Sequence, residues 1–234
     1  MRVYVHPTKQ RCNAMCKFCI TKTQFKDSKE FSKLPEELLD GKEFGRSCKK
    51  IKDICREMEF TGGGEPALNK YTGDLAYIAK IIVPNLYTKL YTNSLCGINF
   101  DSIDELNISR MHWDNDTNEE IMGANNDELF NQLKYAKEEN KYKKVRIQII
   151  LMKGFIDSEE KLLEWIDKWG EFVDVFMVRE LFGKCPSVKE LFVPQLKINH
   201  PKVKLDITND YCDSRPIIAT NGKLYEDWSF KREW

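Results

Sequence analysis

"VYVHPTKQRCNAMCKFC", Val3 to Cys19, places a β-branched and aromatic run directly before three cysteines. The run reads as a strand from Val3 to Thr8, and the polar stretch after it reads as a loop. That loop carries Cys12, Cys16 and Cys19 within eight residues, a spacing at which three thiols cannot all pair with one another. The opening segment lacks the long apolar core and small-residue cleavage site of a signal peptide. The longest apolar runs, such as "VRIQIILM", are too short to span a bilayer, so no membrane partner is expected. A cytoplasmic protein is expected, in which thiols stay reduced and clustered cysteines serve metal binding or catalysis rather than disulfides.

The 234 residues suit one domain, or one with a small appendage, and need no disulfides to hold a core. Lys plus Arg is 37 and Asp plus Glu is 37, which leaves no excess positive charge for bulk nucleic acid. The lysine-rich stretches "KKIKDICRE" and "KEENKYKK" mix both signs and read as solvated helix faces. Cys48, Cys55, Cys96, Cys185 and Cys212 are scattered and are expected to be small buried residues.

Outward from the first strand, short β-branched runs alternate with helical patterns. Further strands are predicted at Glu57–Gly62, Leu86–Asn93, Glu105–Trp113, Lys144–Met152 and Asp174–Leu181. "SEEKLLEWIDKWGEF" sets Leu162, Trp165, Ile166 and Trp169 on one helix face. "NDELFNQLKYAKEENK" does the same with Leu129, Leu133 and Ala136, and Asp127 is placed to cap it. Six strand–helix units imply an α/β fold, a parallel sheet bent into a partial (β/α)6 TIM-like barrel over residues 1–184. Residues 185–234 change pattern, and Asn221-Gly222 between two extended runs predicts a short C-terminal β-hairpin extension packed on the barrel.

In parallel α/β folds function gathers at the C-terminal ends of the strands, where the cysteine loop sits. Thiolates hold iron–sulfur clusters, and three local ligands leave one metal position open. Zinc normally wants two ligand pairs, and no second C-x2-C is present. The second predicted strand ends in "FTGGGEPALN", where glycines let backbone approach a ligand closely. By itself such a turn is equally an ordinary strand-to-helix connection.

Together, Cys12-x3-Cys16-x2-Cys19 and Gly63-Gly64-Glu65-Pro66 resemble the radical S-adenosylmethionine (SAM) superfamily. The resemblance implies that the three cysteines bind one 4Fe–4S cluster and that SAM chelates its open iron. It implies that Phe18 lies near the adenine and that Gly63, Gly64, Glu65 and Pro66 hold the methionine amine. "LYTNSL" resembles the family's third-strand motif, giving Thr92 and Asn93, and "LNISR" its fourth-strand segment, giving Ser109. Reductive cleavage of SAM to a 5'-deoxyadenosyl radical, fed by a donor such as flavodoxin or ferredoxin, is the implied chemistry.

"TNEEIMG", "VRIQIILMKGFIDSEE" and "VFMVREL" are similar, in order, to the GTP 3',8-cyclase subgroup of molybdenum-cofactor biosynthesis. The C-terminal part keeps Gly222-Lys223-Leu224 and Cys212, but Asp227 stands where another cysteine of that subgroup's second cluster belongs. A single cluster and no GTP cyclisation are therefore expected. The leading expectation is a radical enzyme acting on a small-molecule or nucleotide substrate. The alternatives are a peptide- or protein-modifying enzyme, including a glycyl radical enzyme activase, and a non-enzymatic iron–sulfur or zinc protein.

His112 and Asp114, in "SRMHWDND", are candidate catalytic residues at the barrel mouth, since histidine trades protons near neutral pH. His6, Arg179 and Glu180 at strand ends are weaker candidates, and His200 reads as a loop residue. Trp228, Phe230 and Trp234 close the barrel or cover the substrate.

Overall fold

The structure is a computed structural model that describes residues 1–19, 29–38, 41–181, 190–193, 196–206 and 215–234. Cys185 and Cys212 lie outside the described residues. The strands are β1 (Arg2–Val5), β2 (Glu57–Phe60), β3 (Tyr87–Thr92), β4 (Glu105–Ser109), β5 (Lys144–Leu151), β6 (Val175–Glu180), β7 (Val203–Asp206), β8 (Ile217–Ile218) and β9 (Leu224–Tyr225). They form one sheet in the order β7-β6-β5-β4-β3-β2-β1-β8-β9. All neighbours are parallel except the β8–β9 pair. The architecture is an α/β partial barrel.

Six strands fall where the sequence predicts them, because β-branched and aromatic residues fill alternate positions. Val3, Val5, Met58, Phe60, Leu90, Leu106, Ile108, Ile147, Ile149, Phe176 and Val178 are buried in one apolar cluster with the helices. The helix Glu159–Trp169 buries the four residues its periodicity singled out, and Ser158 caps it by accepting from Lys161 N at 3.3 Å. No helix among the described residues is long and apolar enough to cross a membrane.

Four local expectations need correction. The fourth strand stops at Ser109 rather than Trp113, because the chain then turns to start the helix Asn115–Met122. Asp127 does not cap the helix Leu129–Glu138; its carboxylate accepts from Asn125 Nδ2 at 2.6 Å, while Asn126 Oδ1 accepts from Glu128 N. Cys48 and Cys55 are buried as expected, but Cys96 is exposed. Val203–Asp206, in the stretch where the pattern changes, supplies a seventh parallel strand, β7, beside β6.

The Asn221-Gly222 turn does join a hairpin, whose strand β8 pairs with β1: Tyr4 lies opposite Ile217 and Val5 opposite Ile218. Phe230 is buried with Phe31, Ile217 and Ala219, and Trp228 packs tilted against His6, ring centroids 4.5 Å apart and planes 59° apart. These two aromatics cover the sheet beside β1, whereas Trp234 is exposed. His6 is fully buried, and burial pulls its pKa down to about 3, so it is neutral at physiological pH.

The sheet face turned away from the helices is polar. Lys89 Nζ lies 2.9 Å from Glu57 and 3.5 Å from Glu59, and Arg146 Nε lies 2.9 Å from Glu105. Asn107 donates to Glu105 and accepts from Gln148, each at 3.2 Å. Arg179 bonds Asp206 across the β6–β7 pair at 2.7 Å, the ion pair that joins the last two barrel strands. His200 sits in the turn before β7, its Nδ1 accepting from Lys202 N.

At the N-terminal ends of the strands, Asp104 accepts from Lys80 and Lys143, each at 2.7 Å, and from Thr88 N at 2.9 Å. Although burial opposes it, Lys143, Lys80 and Thr88 hold its carboxyl at about 2, below an ordinary 3.8. A depressed carboxylate contributes stability above its unfolded value and loses it as pH falls through the folded one. Asp104→Asn is therefore expected to unfold at lower urea than wild type at pH 7. The gap should shrink between pH 4 and about 2, as denaturation at stepped pH would measure.

Candidate functional site: a cysteine loop clamped to a glycine turn

Parallel strands bring all their C-terminal ends to one rim, so the loop after β1, the turn after β2 and Asn93 after β3 become neighbours. The turn after β2 packs directly on the cysteine loop. Glu65 N donates to Arg11 O at 2.8 Å, and Thr8 Oγ1 donates to Glu65 O at 3.1 Å. A Cβ on Gly64 would stand 2.3 Å from Arg11 O and 2.9 Å from Arg11 N, so only glycine allows this approach. Gly63 and Pro66 are buried beside it, and Pro66 opens a 3-10 turn through Leu68.

Glu65 turns its side chain inward and is 3% exposed. Its carboxylate accepts from Thr92 Oγ1 at 2.6 Å, Asn93 N at 2.7 Å and Ala67 N at 2.9 Å. Burial pushes this carboxyl up, and the three donors oppose the shift. Glu65 thus ties β3's end to the glycine turn, and Asn69 extends the clamp by donating to Pro7 O at 3.0 Å and Leu38 O at 3.3 Å.

The other flank of the cysteine loop rests on the end of the helix Asn115–Met122. Helix C-termini leave carbonyls without intrahelical partners. Here Met122 O accepts from Met15 N at 2.8 Å and Ile121 O from Lys17 N at 3.4 Å. Gly123 closes that helix with φ 71°, and a Cβ there would meet Met15 Cβ at 2.8 Å. Cys16 and Phe18 pack on the apolar patch of Met111, Ile121, Met122, Met152, Phe155 and Leu181.

Cys12 is exposed, whereas Cys16 and Cys19 are half-buried. Burial of its sulfur still raises the Cys12 pKa, and Ala14 N donates to that sulfur at 3.4 Å. Among the described residues no three His, Cys, Asp or Glu side chains converge on a single ion. Ligands of an iron–sulfur cubane need not converge, since each thiolate binds a different iron. Three accessible thiols on one loop, clamped on both flanks, fit such a cluster.

His112 and Asp114 meet through the backbone: Asp114 N donates to His112 Nδ1 at 3.0 Å. His112 is buried against Trp113, with ring centroids 3.9 Å apart, and burial lowers its pKa. Asp114 is exposed, and its carboxylate accepts from Thr117 N at 2.9 Å and Thr117 Oγ1 at 2.7 Å, capping the helix Asn115–Met122. Ser109 ends β4 level with Gln148 of β5.

Sequence reading missed the supports: Thr8, Asn69 and above all Arg110. Arg110 is buried, donating to His112 O at 2.8 Å, Asn115 Oδ1 at 2.6 Å and Asn125 Oδ1 at 3.0 Å, and it shapes the turn that carries His112. Burial lowers its pKa to about 10, which leaves it charged. An arginine inside "SRMHW" looks like a solvated charge, and no signal in the sequence marks it as buried.

No curated protein matches the chain. Among solved structures, Streptococcus suis SuiB bound to S-adenosylmethionine is similar, with TM-score 0.68 and 17% identity over 98% of this chain and 60% of that one. SuiB bound to precursor peptide SuiA is similar at TM-score 0.67 and 16% identity, over 98% and 60%. The chain therefore spans 60% of the length of SuiB. The radical SAM superfamily model matches residues 7–166, from the end of β1 into the last long helix. That match spans more than half of the 234 residues, and the chain belongs to the radical SAM superfamily.

Proposed function

We propose that Cys12, Cys16 and Cys19 hold the superfamily's 4Fe–4S cluster and that the Gly63–Pro66 turn holds the amine of SAM, in an enzyme that abstracts hydrogen from a polar substrate. The observation carrying this is the clamp between Glu65 N and Arg11 O, which sets the glycine turn against the residue preceding Cys12. When bound, the cluster and SAM supply a 5'-deoxyadenosyl radical. The residues of the chain do the rest. Ser109, Thr92 and Asn93 frame the SAM site at the ends of β4 and β3; Thr92 acts through Glu65, and Phe18 lies on the loop's apolar flank. His112, whose Nδ1 already accepts a hydrogen bond from Asp114 N, keeps Nε2 for proton handling, and Asp114 fixes the turn beneath it.

The substrate reading favoured is a small molecule or nucleotide, because Asn107 and Gln148, midway along the inner sheet face, present amide groups rather than an apolar wall. Peptide modification is the second reading, supported by the likeness to SuiB bound to its precursor peptide. GTP cyclisation is disfavoured. Asp227, at the place of a second-cluster cysteine, accepts from Ser229 N at 2.8 Å in a tight turn. Residues 185–234, apart from β7, act as an extension of the barrel, a flavodoxin- or ferredoxin-like donor supplies electrons, and the reducing cytoplasm suits three thiols on one loop.

Cys16→Ala should leave the circular dichroism spectrum and unfolding midpoint close to wild type and abolish 5'-deoxyadenosine formation from SAM under reducing, anaerobic conditions. Residual deoxyadenosine at the wild-type rate would overturn the assignment. Running wild type with polar small molecules and with peptides in parallel, and scoring deoxyadenosine, separates the two substrate readings.

A further inference from the structure

We propose that Asn93 raises the reduction potential of the cluster by donating an amide hydrogen bond to the sulfur of Cys12, and that Asn13 fixes the amide in that orientation. This rests on the reading of Cys12 as a cluster ligand. Asn93 Nδ2 stands 3.7 Å from Cys12 Sγ, within reach for a hydrogen bond to sulfur, and donates to Asn13 Oδ1 at 2.8 Å. Its Oδ1 is held by Leu95 N at 3.0 Å, which turns the NH2 group toward the cysteine loop. Both amide hydrogens are thereby committed, one to Asn13 and one to Cys12. Asn13 is fixed in turn, its Nδ2 lying 3.4 Å from Cys96 Sγ. Asn93 is 9% exposed, so its amide is largely shielded from water at its own end of the bond to the exposed Cys12.

Reduction adds one electron from an external one-electron donor, and the added negative charge spreads onto the thiolate sulfurs. An N–H aimed at a ligand sulfur stabilises the reduced state more than the oxidised one, so it raises the potential. Ala14 N makes a similar bond to Cys12 from the backbone, beyond the reach of side-chain substitution. Asn93 also donates from its backbone N to Glu65, a bond that Asn93→Ala and Asn93→Asp both retain. The side chain can therefore be altered without releasing the clamp. A purely structural Asn93 would leave the potential where it is.

The measurement is a potentiometric titration of anaerobically reconstituted full-length protein, with titanium(III) citrate as reductant and the EPR signal of the reduced cluster as readout. Asn93→Ala should shift the midpoint to more negative potential, and Asn93→Asp, which replaces the donor with a charged acceptor, should shift it further. Asn13→Ala should give a smaller shift of the same sign. Midpoints equal to wild type in both Asn93 variants would overturn the proposal. If Asn93→Ala loses its iron, the exposed Asn13→Ala decides alone: a negative shift supports the relay and an unchanged midpoint overturns it. A wild-type protein that takes up no iron would instead overturn the ligand reading beneath it.

Discussion

Gly64→Ala should cost about 3 kcal/mol of stability, at the upper end of what an overpacked interior costs, and should strip the protein of most of its iron. The added methyl would stand 2.3 Å from Arg11 O, 2.9 Å from Arg11 N and 2.8 Å from Thr8 Oγ1. Two of these three are backbone atoms next to Cys12, which cannot rotate aside as a side chain would. The turn must retreat, breaking the bond from Glu65 N to Arg11 O, or the cysteine loop must move. Urea unfolding and iron content after anaerobic reconstitution check both parts. Wild-type values for each would mean that the turn and the loop are not rigidly joined.

Glu65→Ala should destabilise by about 3 kcal/mol, and Glu65→Gln by about 2 kcal/mol. Alanine strands three buried donors: Thr92 Oγ1, Asn93 N and Ala67 N. Glutamine restores one acceptor but brings an NH2 group against groups that are themselves donors. A buried donor left unpaired costs more than the net value of the bond it made, so the loss should exceed that of a surface substitution several-fold. Both variants should also weaken SAM binding, measured by equilibrium dialysis of the reconstituted protein. If Glu65→Gln binds SAM and unfolds like wild type, the carboxylate serves only as a spacer.

The six barrel strands were legible because their apolar residues alternate or run continuously, and because burial on the helix side leaves that pattern unbroken. The cysteine spacing and glycine turn were legible because they are local. The fourth strand overran because Met111 and Trp113 extend the run of apolar residues, although they fall out of phase with Leu106 and Ile108; that break in phase and the capping chemistry of Asp114 mark where the chain turns. The pairing of Tyr4 with Ile217 joins opposite ends of the sequence and depends on which edge of the sheet is free. The bond from Thr92 to Glu65 likewise exists only after two strands lie side by side. His112 was found for its chemistry, but the buried Arg110 that holds its turn carries no local mark of burial.

The position of β1 has a consequence for synthesis. β1 is made long before β8, yet it lies inside the sheet, with β2 on one side and β8 on the other. Tyr4 N donates to Pro216 O at 3.0 Å and His6 N to Ile218 O at 2.9 Å, partners that emerge from the ribosome long after β1 does. Until then the nascent chain carries a bare edge next to its thiol loop, the kind of edge that recruits strands from neighbouring chains. The hairpin thus covers the β1 edge beside the thiol loop, and translation that stalls before Ile217 leaves that edge bare and the chain poised to aggregate.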